Sequence, residues 1–139
     1  MAIERTLGMI KPDAVSRGLI GKIVGRYEEE GFTILGMRVL HLSKRQAEAF
    51  YAVHRERPFY ESLTDMMSSG PIVALALERE DAIATLRSVM GATNPEDADE
   101  GTIRALYALD IERNSVHGSD APETAAVELR FFFRESEFI

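Results

Sequence analysis

Short, nearly continuous apolar runs alternate along this chain with longer stretches of helical spacing. Leu7, Met9 and Ile10 make residues 5–10 a first strand, which stops at the turn signal Lys11-Pro12-Asp13. Leu19, Ile20, Ile23, Val24 and Tyr27 recur at helical intervals and predict a helix over about 19–30, ended by Gly31. Residues 32–42 are rich in apolar and β-favouring types and read as a second strand. Ser43-Lys44-Arg45-Gln46 has the spacing of a capping box. It opens a helix through about residue 54, with Ala47, Phe50 and Tyr51 on one side, and Arg57-Pro58-Phe59 breaks it. A short helix follows with Tyr60, Leu63, Met66 and Met67, stopped by Gly70-Pro71. Residues 72–77 form an apolar run that suits a buried strand. Residues 81–90 are helical again, with Ile83, Leu86, Val89 and Met90 toward the core.

The polar stretch 91–113 is long for a compact fold and signals function; a short helix near 102–107 interrupts it. A brief fourth strand ends at His117. Asp120-Ala121-Pro122-Glu123 reads as a cap with an early proline, opening a last helix that packs through Ala125, Leu129 and Phe132, widened by Phe131 and Phe133. This order of split βαβ units predicts an α+β fold, a ferredoxin-like α/β sandwich (βαββαβ) with a four-stranded antiparallel sheet and helices over one face. At 139 residues the chain suits one domain, 1–139, with a real core.

That fold hosts enzymes, RNA binders and sensors, so function rests on the site. Sixteen basic against twenty-three acidic residues leave a net charge of −7, which disfavours a stable nucleic-acid partner. It does not disfavour one small phosphorylated ligand, for which Lys11, Arg57, Arg87 and Arg104 are candidate cations. No apolar run approaches the ~20 residues of a membrane span, and the first residues lack a secretory pattern. The absence of cysteine excludes disulfides, thiolate metal sites and thiol nucleophiles, and fits a cytoplasmic location. No phosphate-binding G-x-x-x-x-G-K-[ST] loop occurs, and His41 and His54 have no metal-ligand spacing to His117.

The most informative stretch is Asn114-Ser115-Val116-His117-Gly118-Ser119-Asp120. It sets an imidazole at a strand end before a polar turn, with Gly118 expected to leave open space beside the ring. Such a residue serves as a neutral-pH nucleophile or proton carrier; it serves equally as a core histidine next to a turn.

This stretch resembles the active-site signature of the nucleoside diphosphate kinase family. Ile10-Lys11-Pro12-Asp13, Arg57-Pro58-Phe59-Tyr60, Ser69-Gly70-Pro71, Gly91-Ala92-Thr93-Asn94-Pro95 and Gly101-Thr102-Ile103-Arg104 match further blocks of that family, in its order. The resemblance covers essentially the whole chain. It implies ping-pong transfer of a γ-phosphoryl group from a nucleoside triphosphate to a nucleoside diphosphate through a phosphohistidine. His117 is then the nucleophile, Glu128 orients it and Ser119 joins the same network. Lys11, Arg87, Arg104 and Thr93 hold phosphates, and Tyr51 lies beside the transferred group. Asn114 shares the ribose with Lys11, Phe59 stacks on the base, and Leu63 and Ile111 line its cleft. Recognition by stacking implies low base selectivity. Mg2+ arrives with the nucleotide, with no direct protein ligand, and Asp120 reaches it through water. The resemblance further implies a homo-oligomer, a hexamer before a tetramer.

The chain departs from the family where Ala105-Leu106-Tyr107 follows Arg104, since Leu106 replaces an acid, and Leu109 adds a second apolar residue. Both bear on the packing of the long loop and on subunit contacts, and Phe138 and Ile139 are further candidates to cover a neighbour. Two other readings compete. A nucleotide-sensing module needs the pocket but not His117, and a nucleic-acid binder needs a basic, aromatic sheet that this chain lacks.

Overall fold

The computed structural model describes residues 2–138. Its sheet has the strand order β2-β3-β1-β4, antiparallel throughout, with β1 at Ile3–Ile10, β2 at Thr33–Leu40, β3 at Ile72–Glu80 and β4 at Val116–Gly118. Seven helices join them: α1 Pro12–Val15, α2 Ile20–Glu29, α3 Lys44–Phe50, α4 Tyr60–Met67, α5 Ala82–Met90, α6 Ile103–Tyr107 and α7 Pro122–Phe132. The predicted α+β sandwich is the fold observed.

Helices cover both faces of the sheet, not one. On β3, Val73, Leu75 and Leu77 point into a core with Ile23 and Tyr27 of α2 and Leu86, Val89 and Met90 of α5. Ile72, Ala74 and Ala76 point the other way, against Ala47 and Phe50 of α3, Met67 of α4 and Leu129 and Phe132 of α7. A strand with two buried faces has no polar alternation, which is why 72–77 reads as a continuous apolar run.

β1 and β3 are longer than their apolar stretches. The ladder continues through polar ends, where Arg5 faces Glu78 across the strands and pairs with it at 3.0 Å. Lys11-Pro12-Asp13 starts the one-turn helix α1 instead of a plain turn, because proline at the first helical position needs no N–H partner. The Ser43 capping box forms: Gln46 N–H donates to Ser43 Oγ at 3.1 Å and Ser43 N–H to Gln46 Oε1 at 2.8 Å. Its helix ends at Phe50, and residues 52–54 continue as a 3-10 turn. At α7 the cap is Ala121, not Asp120. Its N–H donates to Thr124 Oγ1 at 3.0 Å, and the Thr124 hydroxyl donates to Asp120 at 2.8 Å. Phe131 remains 40% exposed while Phe133, just past the helix, is buried. Phe138 packs on Phe133 and under Arg5 of its own chain, whereas Ile139 lies outside the described residues.

Candidate active site

β4 enters the sheet from a strained turn. Ser115 has φ +75°, and Val116 N–H donates to Asn114 O at 2.9 Å, closing a γ-turn. Asp13 holds this turn from α1, its carboxylate accepting from Ser115 N–H at 3.0 Å. Lys11 N–H fixes Ser115 O at 2.9 Å. The turn thereby places Asn114 on one side of β1 and delivers His117 opposite Met9 two residues later.

The His117 ring is held from two directions. Its Nε2 lies 2.8 Å from Glu128 Oε1 on α7, and Ser119 Oγ donates to the same oxygen at 2.7 Å. The rings of Phe50 and Tyr51 meet it edge-on at 5.5 and 6.1 Å. A carboxylate only accepts, so Nε2 is the donor of this bond and Nδ1 is the ring nitrogen left without a protein partner. Gly118 does not open space beside the ring. A Cβ there would lie 2.9 Å from both Leu86 Cδ2 and Met90 Sδ, so this glycine lets α5 approach the sheet closely.

His117 faces a cleft of about 500 Å³. Lys11, Tyr51, Phe59, Leu63, Arg87, Thr93, Arg104, Ile111, Asn114, Asp120 and Glu128 line it with His117. Ser119 acts on the cleft only through Glu128. Of the four candidate cations, Arg57 is exposed and does not line the cleft. Phe59 and Ile111 are 46% and 60% exposed, forming an apolar mouth. Phe50, Val53, His54, Glu112 and Thr124 also line the cleft, a role that their local sequence does not signal. His54 follows Tyr51 by one turn and stacks on it, and its ring lies 5.6 Å from Phe59. Among the described residues no cluster of three or more His, Asp or Glu side chains is placed to hold a metal. Asp120 is exposed at the cleft and keeps Thr124 as a hydrogen-bond donor.

The cations at the inner end are buried or anchored. Arg104 donates to Gly91 O at 3.0 Å and Val116 O at 2.8 Å, while its Nε is buried with no partner. Burial presses its guanidinium down to about 10, which leaves it charged at neutral pH. Arg87 reaches toward Gly118 O at 3.5 Å. Burial pushes the Tyr51 hydroxyl above its ordinary range, so it stays protonated. Lys11 Nζ donates to Glu112 O at 2.7 Å and Asn114 Oδ1 at 2.9 Å, and Asn114 Nδ2 donates to the Thr93 and Ile111 carbonyls, both at 3.1 Å.

Burial lowers Lys11 to about 8, outweighing the opposite pull of Asp13. The unfolded lysine titrates near 10.5. Between these values the unfolded chain binds the extra proton, so the free protein gains stability from this group as pH rises through about 8. An anionic ligand needs the charged form and loses affinity over the same window. The thermal shift produced by a nucleoside diphosphate therefore shrinks from pH 7 to pH 9.5, as differential scanning fluorimetry would record. A Lys11→Gln variant shows a smaller shift and loses this pH dependence.

Buried cations, a hydroxyl and an imidazole around a cleft with an aromatic mouth define a protein that handles phosphorylated nucleosides. Comparison with known proteins names the family. The nucleoside diphosphate kinase family model matches residues 4–138. A nucleoside diphosphate kinase from Desulfosudis oleivorans is 60% identical over 137 residues, 99% of each chain. One from Desulfatibacillum aliphaticivorans is 63% identical over 135 residues, 97% of this chain and 98% of that one. The solved Aquifex aeolicus nucleoside diphosphate kinase superposes with a TM-score of 0.97 at 44% identity, covering 99% of this chain and 100% of its own. The halophilic nucleoside diphosphate kinase from Halobacterium salinarum, solved in complex with CDP, gives 0.95 at 39% identity, covering 99% and 92%. The chain belongs to the nucleoside diphosphate kinase family and is an enzyme of that kind.

Proposed function

We propose that the chain transfers phosphoryl groups by a ping-pong route through His117. The observation that carries this is the Glu128 contact on Nε2, which leaves Nδ1 as the ring nitrogen available to act as nucleophile. Nδ1 attacks the γ-phosphorus of a bound nucleoside triphosphate. The N–P bond forms, the bond to the β-phosphate oxygen breaks, and the diphosphate leaves. A second nucleoside diphosphate takes the group back by the reverse displacement. Phosphoryl transfer asks little of the protein beyond alignment and charge. Arg87, Arg104, Lys11, Thr93 and the Tyr51 hydroxyl surround the moving phosphoryl group and its leaving oxygen. Glu128 and Ser119 keep the imidazole in one tautomer and one orientation. Magnesium, bound to the nucleotide's own phosphates and water with Asp120 nearby, would neutralise phosphate charge.

The ribose lies on Lys11 and Asn114, and the base between Phe59 and the Leu63–Ile111 wall. Stacking and apolar contact grip every base alike, which supports low base selectivity. Phe59→Ala weakens binding of adenine, guanine and pyrimidine diphosphates by a similar factor, about tenfold from lost stacking, read by titration calorimetry.

The protein acts as a homo-oligomer, a hexamer before a tetramer, in the cytoplasm. Exposed apolar residues support self-association: Met37 and Val39 on edge strand β2, and Leu106 and Leu109 on the long loop. Among the described residues no helix is long and apolar enough to cross a membrane.

The test is incubation with γ-labelled ATP and magnesium, followed by quenching. An acid-labile, base-stable phosphoprotein that passes its label to added GDP supports the route. A protein that binds ATP without taking label would instead be a sensor with the kinase fold.

A further inference from the structure

The cleft holds one carboxylate that the transfer chemistry leaves unused. Glu112 is half-buried there, next to Ile111. Its carbonyl oxygen takes the Lys11 Nζ bond at 2.7 Å, which fixes its backbone beside the ribose pair. Its side chain crosses to α4, where Oε1 accepts from Ser62 Oγ at 2.8 Å. Ser62 follows Phe59 by three residues and precedes Leu63, so 59, 62 and 63 share one helical face. The carboxylate thus lies on the aromatic platform, away from the phosphate end.

Lys11 and Arg113 both feel its charge, but neither is hydrogen-bonded to its carboxylate. Arg113 is spent on Asp110 through two contacts of 2.9 and 2.8 Å, and Lys11 Nζ is held by a carbonyl and an amide. Among the described residues Oε2 has no donor.

We propose that Glu112 is a specificity-determining residue that favours guanine, a reading that rests on the nucleotide cleft described above. An ionised carboxylate only accepts hydrogen bonds. Guanine offers two adjacent N–H donors, N1 and the N2 amino group, on its Watson–Crick edge. Adenine and cytosine set a ring acceptor beside their amino group, which faces the carboxylate oxygen unfavourably. Hypoxanthine keeps N1–H and lacks the second donor. The edge sits at a wet mouth, so the preference is modest and overlies the general stacking.

The test follows transfer from the phosphorylated protein to GDP, IDP and ADP. GDP exceeds IDP in kcat/KM by on the order of fivefold, and Glu112→Ala brings the ratio close to one. Ser62→Ala, which frees Oε1, preserves or raises the ratio. Equal rates with GDP and IDP in the unaltered protein overturn the proposal. So does an equal loss for all three acceptors in Glu112→Ala, since the residue would then act through Lys11. A protein that never forms phosphohistidine overturns the transfer reading itself.

Discussion

His117→Ala abolishes phosphoryl exchange, with a loss on the order of 10⁴-fold or more in kcat, while nucleotide affinity stays within a few-fold. The two effects separate because the binding groups stand on other elements. Lys11 follows β1, Phe59 caps α4 and Leu63 lies within it, Arg87 is on α5 and Arg104 on α6. None of them is hydrogen-bonded to the imidazole. The cavity left between Phe50, Tyr51 and Glu128 costs some stability but lies at the cleft, where water enters. Calorimetry with a nucleoside diphosphate and a coupled exchange assay give the two readings. Turnover above about one thousandth of the original rate would mean another nucleophile, and adding free imidazole tests the point further. It restores turnover only if the vacancy at position 117 is where the group is transferred.

Most of the fold is legible in the sequence because periodicity reports burial. The spacing of Ile23 and Tyr27 on α2, and of Ile83, Leu86 and Met90 on α5, marks the helix faces that bury against the sheet. What stays hidden depends on contacts between distant segments. Gly118 next to a histidine reads as room for a ligand. Only the position of α5 shows that Leu86 and Met90 occupy that side. One-faced coverage is a default of the fold class. Ile72, Ala74 and Ala76 already argue against it, since a half-exposed strand would carry polar residues there.

The site divides in the same way. Identities such as His117, Asn114 and Lys11 stand out through family blocks, each of which keeps its chemistry within a few residues. Asp13, 102 positions before Ser115, has no local sign that its carboxylate ties down the γ-turn. Glu112 stands between Asp110 and Arg113 near the end of a polar loop, and nothing in that pattern points to Ser62, 50 positions earlier. Which ring nitrogen of His117 is tied down is equally invisible until Glu128 is placed against Nε2.

Arg104→Ala carries the second large effect, and the structure changes its expected form. From sequence alone Arg104 is a phosphate ligand whose loss harms catalysis more than folding. Here its guanidinium also ties Gly91 O, after α5, to Val116 O, on β4. Truncation leaves two carbonyls at the inner cleft without their donors, which costs about 1–3 kcal/mol, and removes the preorganised charge that the proposed route sets beside the transferred group, worth on the order of 10²–10³ in rate. Both losses are therefore expected, and they must be read apart. Single-turnover phosphorylation of His117, measured well below the melting temperature of the variant, reports only the second. Arg104→Lys keeps the charge but reaches one carbonyl instead of two. It recovers more of the rate than of the stability if the charge acts on the phosphoryl group. If Arg104 served only as a strut, Lys and Ala variants would both phosphorylate at the original rate once folded, and their melting temperatures alone would differ.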